Sequence, residues 1–197
     1  MNDMAAFILA GFALTGSPGP ATLGLAASGA AFGLRRSLGL FLGALVGILV
    51  VMAVTATGLA GLVLAQPVLG PAVSAVAACY MLYLAYRIAT AAPLQAGSAE
   101  SQPPGFGPGL FLGLGNPKAY AAMATLFSAF VLVRVSPVGD AMAKIAILFA
   151  IIVVVDWIWL LLGSLLTRVL RDPVLGRAIN IAFAVLLVAS VALAFLL

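Results

Sequence analysis

The sequence predicts an all-α membrane protein: six transmembrane helices arranged as two inverted three-helix repeats, with helices 1 and 4 broken. Three observations predict it. The 197 residues are 65% hydrophobic and only 7% charged, with a mean hydropathy of +1.29, far from soluble domains. Six apolar stretches reach the roughly 20 residues needed to cross about 30 Å of hydrocarbon. Proline and glycine interrupt two of them at corresponding places, Gly16-Ser17-Pro18 and Gly115-Asn116-Pro117.

The stretches run over about 5–27, 38–64, 68–88, 109–133, 145–166 and 178–197. Between them lie Arg35-Arg36, Gln66-Pro67, a Pro/Gly/Ser/Gln-rich segment from Ala89 to Pro108, Arg134 to Lys144, and Arg168 to Arg177. The first stretch opens Met1-Asn2-Asp3 without a positive region, so it reads as a retained helix and not as a cleaved signal peptide. A single transmembrane domain over 1–197 is expected, with repeats at 1–88 and 109–197 joined by a cytoplasmic loop at 89–108.

Orientation follows from the basic residues. Arg35, Arg36, Arg87, Arg168, Arg171 and Arg177 fall on one side and Arg134 and Lys144 on the other, with Lys118 left out because it lies within a span. The positive-inside rule then places both termini outside, in a multi-pass bacterial inner-membrane protein.

The repeat rests on an offset of 99 residues, at which Phe7, Phe12, Gly16 and Pro18 fall on Phe106, Phe111, Gly115 and Pro117. A repeat of three helices is odd, so the second copy enters the bilayer from the opposite face.

Composition excludes several functions. There is no histidine and a single cysteine, Cys79, so disulfides and most zinc or iron sites are ruled out and no cofactor is expected. The net charge of +4 is scattered between apolar runs and makes no nucleic-acid face. No Gly-x-x-x-x-Gly-Lys-Ser/Thr phosphate loop occurs, which excludes an ATP-driven pump in this chain alone.

The chemistry must come from few residues. Gly16, Ser17, Pro18, Gly19 and Pro20 make a regular helix improbable in mid-membrane. Pro18 and Pro20 lack N–H groups and strip the carbonyls of Leu14 and Gly16 of their usual partners, and Pro117, after Asn116, does the same to Gly113. Freed backbone groups and half-helix N-termini suit a substrate carboxylate, although a packing kink would use the same residues. Lys118 sits roughly 13 Å into its span, where an isolated cation costs about 2.5–3.5 kcal/mol and requires a partner, a wet cavity or a snorkelling stem. Asp156 has about ten apolar residues on either side. It is a candidate to take up and release a proton during a cycle, or else to lock two helices through a static pair with Lys118. Trp157 and Trp159 are packing or cavity wall. Gly39, Gly43 and Gly47 form a smooth strip, either an internal seam or a homodimer contact. Tyr80, Tyr83 and Tyr86 combine interfacial anchoring with hydrogen bonding.

In these residues the chain resembles the LysE/RhtB family of bacterial amino-acid exporters. The resemblance runs through Pro18-Gly19-Pro20, Gly33-Leu34-Arg35-Arg36 leading into the glycine strip, Tyr80-Met81-Leu82-Tyr83-Leu84, Asn116-Pro117-Lys118-Ala119 and Asp156. It implies a six-helix exporter, typically driven by the proton gradient, that removes amino acids or related metabolites from the cytoplasm. Ala21 stands where family members usually carry Asp or Asn, Ala121-Ala122 where many carry paired aromatics, and the usual Pro-Gln-Phe segment is missing, which points to a less polar solute or a divergent subgroup.

The expected function is therefore secondary, proton-coupled export, or antiport, of an amino acid. The solute's carboxylate lies near Lys118 and the helix ends, and its amine near Asp156. A metal exporter or cation channel is the alternative, weakened by the lack of a His/Cys cluster. An intramembrane enzyme would have to use a Ser17–Lys118 dyad, because two buried acids are not available.

Overall fold

The computed structural model describes residues 3–58, 69–90, 102–166 and 173–196. Among them the chain is helical and has no strand. The helices are α1 (Asp3–Gly16), α2 (Pro20–Phe32), α3 (Leu34–Ala56), α4 (Leu69–Ala89), α5 (Phe106–Leu114), α6 (Pro117–Ala129), α7 (Pro137–Leu166) and α8 (Pro173–Leu196). Each of α3 and α7 is long and apolar enough to cross a bilayer alone, and α1 and α2 are so only when taken together, as a pair bent by 57° at the break between them.

The exposed apolar face is written in helical spacing. On α3, Leu42, Val46, Leu49 and Val50 are exposed, and on α7, Val154, Ile158, Leu162 and Leu165 are exposed, whereas Leu40, Met52, Leu148 and Leu160 on the opposite faces are buried. Helices α4 and α8 pack on each other and on α2.

Glycines decide how closely the central helices approach. A Cβ on Gly43 would collide with the Phe106 carbonyl, one on Gly109 with the Leu40 carbonyl, and one on Gly47 would come within 2.6 Å of the Leu110 carbonyl. The strip Gly39, Gly43, Gly47 is thus an internal seam between α3 and α5. Of the two readings of the strip, internal seam and homodimer contact, the structure has the first, because the backbone of α5 occupies that surface. A second seam, unseen in the sequence, joins α2 to α7: a Cβ on Gly163 would strike the Ala26 carbonyl, and one on Gly29 would come within 2.5 Å of the Leu160 carbonyl.

These contacts fix the direction of each element. Gly105 and Phe106 lie beside Gly39, so α5 starts at the end of the bundle that holds Gly33 and runs parallel to α3. Asp3 reaches Arg134 at 3.8 Å, so α1 starts at the opposite end, near the α6–α7 connection. The α1–α2 and α5–α6 pairs therefore traverse the bundle in opposite senses. At the first end, Gly33, with φ of 77°, closes α2 and opens α3 in a left-handed conformation that favours glycine. A buried Ser28–Ser37 hydrogen bond of 2.9 Å holds the corner.

Several boundaries differ from expectation: α2 runs on to Phe32, past the expected 27, and α8 starts at Pro173, five residues before the expected 178, so that it takes in Arg177, which was expected between spans. Helix α3 starts at Leu34, which puts Arg35 and Arg36 in its first turn. Helix α7 starts at Pro137, about two turns before the expected 145, and so takes in Lys144, which was expected between spans. Lys144 is 3% exposed and pairs with Asp140 at 2.6 Å, so its charge is neutralised within the helix. Gln66-Pro67, Arg168, Arg171 and residues 91–101 of the expected loop, like the side chains of Tyr80 and Arg87, lie outside the described residues. Tyr83 and Tyr86 are exposed.

Candidate functional site

Both proline steps start new helices. Pro20 is the first residue of α2 and Pro117 the first of α6, positions where the missing N–H is harmless and the fixed φ suits the helix. In role, Pro117 corresponds to Pro20, whereas the offset of 99 had set it against Pro18. The chain is non-helical at Ser17–Gly19 and again at Asn116.

The three carbonyls that the prolines deprive of a helical partner each find another donor. Leu14 O accepts from the Ser17 hydroxyl at 3.1 Å, and Gly16 O from the Trp159 indole N–H at 3.2 Å. Gly113 O accepts from the Asn116 N–H at 3.4 Å. The carbonyls of Ser17 and Pro18 accept from Lys118 Nζ, which also donates to Ser17 Oγ at 2.7 Å. Lys118 thus lies at the C-terminal, electronegative end of α1, where a cation is favoured. Gly19 makes room for it, since a Cβ there would sit 2.8 Å from Lys118 Cδ. An ammonium that gives its protons to three oxygen acceptors is not placed to accept one, so the Ser17–Lys118 contact is a structural clasp and not the nucleophile–base pair of an enzyme.

One cavity of about 50 Å³ occupies the middle of the bundle, where both breaks meet α3 and α7. Lys118 and Asp156 both line it, together with Thr15, Thr22, Ile48 and Met123. Of the expected site residues, these two charged groups come together on the cavity wall. Gly16, Ser17 and Pro18 stand behind Lys118 as its anchor, Gly19 and Pro20 lie at the start of α2, and Asn116 and Pro117 start α6. Asp156 is 5% exposed and has no ion pair among the described residues, so the static Lys118–Asp156 pair is not formed. Asn116 is buried, and its Oδ1 has no hydrogen-bond partner among the described residues, which leaves an acceptor that a water or a solute can satisfy.

Thr15 and Thr22 escape the sequence reading. Each lies within four residues of the first break, and a hydroxyl beside a helix break is the signal that finds them. Trp159 is resolved as an anchor for Gly16, while Trp157 packs edge-on against Phe41 with ring centroids 5.4 Å apart.

The profile of the LysE type translocator matches residues 8–197. The chain belongs to that family. A relative named cysteine/O-acetylserine efflux protein, from Salmonella choleraesuis (strain SC-B67), is 33% identical over 173 residues, covering 87% of each chain. Its counterpart of the same name in Escherichia coli (strain K12) is 29% identical over 172 residues, again 87% of each. No solved structure matches. Family and relatives agree with the expected amino-acid exporter and with a multi-pass membrane protein that is not an enzyme.

Proposed function

We propose that this LysE-type translocator exports a small zwitterionic amino acid, of the size of cysteine or O-acetylserine, from the cytoplasm across the inner membrane in exchange for protons. One observation carries the reading: the cavity beside the two helix breaks bears one cationic and one anionic side chain, Lys118 and Asp156. A zwitterion matches such a wall with no net charge left over, and a small solute matches the short side chains of Ala21, Ala44 and Ala122 around it.

Asp156 is the proton carrier in this reading, because it is a buried acid without an ion-pair partner among the described residues. The cavity of about 50 Å³ has room for only a few waters and must widen to admit a solute. Six spans in two inverted repeats provide the movement, supported by the opposite senses of α1–α2 and α5–α6. Every residue of α2 except Ala21 is buried, whereas α6 buries only Ala119, Ala122, Met123 and Leu126. Related half-helices in unequal contact are what one of two alternating conformations has, here sealed toward the Gly33 end. Removing Lys144 from the positive-inside count leaves six residues against Arg134 alone, which supports that end as cytoplasmic and both termini as outside.

The test is a panel of amino acids and dipeptides, including cysteine and O-acetylserine, given to cells with and without the gene. Expression is expected to raise tolerance and external accumulation of the exported solute. Identical tolerance and accumulation across the panel would contradict the reading.

A further inference from the structure

A larger cavity of about 460 Å³ opens at the Gly58 end, between the end of α3, the outer turns of α6 and the first turns of α7. Its wall carries Asp140, Lys144, Thr55, Tyr120 and Ser128. Pockets of this size take ligands of the amino-acid class and larger, whereas the central cavity does not in this conformation.

The charged pair on this wall is costly in an otherwise apolar chain. Lys144 is 3% exposed, donates to the Phe127 carbonyl at 3.0 Å and to Asp140 Oδ2 at 2.6 Å, and lies 5.7 Å from the Phe127 ring centroid. Asp140 Oδ1 accepts from the N–H groups of Leu132 and Val133, which fixes the carboxylate whether or not Lys144 stays on it. Desolvating two such charges consumes much of what their attraction returns, and apolar residues of equal volume would hold the helices as well. A pair that borders an open cavity and is anchored on each side by independent backbone contacts has the form of an exchangeable pair.

We propose that this cavity is a second solute site, in which the carboxylate of a zwitterionic amino acid takes Lys144 and its ammonium takes Asp140, with the hydroxyls of Thr55, Tyr120 and Ser128 around it. Inserting a zwitterion conserves charge, as each ion exchanges one partner for another. Tyr120 on this wall and Ala119 on the central one are neighbours on α6, so the two cavities flank one helix and a solute released from the first meets the second on its way out. The site rests on the reading of the chain as an amino-acid exporter.

Equilibrium binding of radiolabelled O-acetylserine to the purified full-length protein in detergent tests it. The wild type is expected to bind two molecules per chain, Ala141→Phe, which fills the cavity and removes no polar group, one, and Asp156→Asn one. Ala141→Phe combined with Asp156→Asn is expected to bind none. Should Ala141→Phe fail to fold, Tyr120→Phe with Ser128→Ala in the Asp156→Asn background is expected to weaken the remaining site about tenfold. A wild type that binds one molecule, lost in Asp156→Asn and kept in Ala141→Phe, overturns the second site and leaves the export reading intact. Unchanged affinity in the hydroxyl variants also overturns it. A wild type that binds no O-acetylserine removes both.

Discussion

Lys118 reaches across 101 residues of sequence to bond the hydroxyl of Ser17 at 2.7 Å, and so clasps the first helix break from the first turn of the helix that follows the second. A cation that would be expensive alone in hydrocarbon is matched to carbonyls that would be expensive alone there too. Each break solves the other's problem, and the pairing places Lys118 on the cavity wall.

Gly19→Ala should therefore behave as a Lys118 mutation. The added Cβ would lie 2.8 Å from Lys118 Cδ and displace the clasp. Freed carbonyls cost about 1–3 kcal/mol each, so thermal unfolding in detergent should move down and flux in proteoliposomes should fall. Lys118→Met should do the same. Wild-type unfolding and flux in Gly19→Ala would show that the clasp is dispensable.

The glycine seams predict a sharp contrast among alanine substitutions. Gly43→Ala, Gly109→Ala and Gly163→Ala each drive a methyl into the carbonyl of a facing helix, so backbones must separate at a cost of about 1–3 kcal/mol or more. Gly107, within α5, has open space where a methyl would stand, with nothing within 4 Å; there alanine should be neutral or stabilising by about 0.5–1 kcal/mol from helix propensity. Unfolding of the four single variants, side by side, checks the order.

The two tryptophans should separate in the same way. Trp159→Phe leaves the Gly16 carbonyl without its donor and should lower stability by about 1–3 kcal/mol while slowing export. Trp157→Phe keeps an aromatic edge against Phe41 and should cost less. Equal losses would deny Trp159 its anchoring role.

Asp156→Leu should stabilise the fold and end transport. Replacing a buried acid that has no ion pair among the described residues by an apolar side chain relieves desolvation, and such trade-offs between stability and activity mark functional sites. A higher unfolding temperature with lost flux is expected; a lower one would mean that Asp156 holds the bundle together.

The breaks are legible in the sequence because proline and glycine act locally: Pro20 and Pro117 end one helix and begin another whatever surrounds them. Lys118 and Asp156 are legible because charge at membrane depth is rare. What surrounds them is not. Ser17, Pro18 and Trp159 become partners only through folding, and a glycine strip such as Gly39, Gly43, Gly47 announces close approach without naming the helix that approaches. The start of α7 differs from expectation for a physical reason, since Asp140 and Lys144 look like loop charges singly but neutralise each other one helical turn apart.

Proton-driven export in proteoliposomes, wild type against Asp156→Asn, tests the central claim most directly. With a pH gradient imposed and radiolabelled O-acetylserine inside, the wild type should discharge the solute in step with the gradient, and the folded Asp156→Asn protein should not respond to it. Gradient-driven discharge by Asp156→Asn at the wild-type rate would contradict the assignment of proton coupling to this cavity.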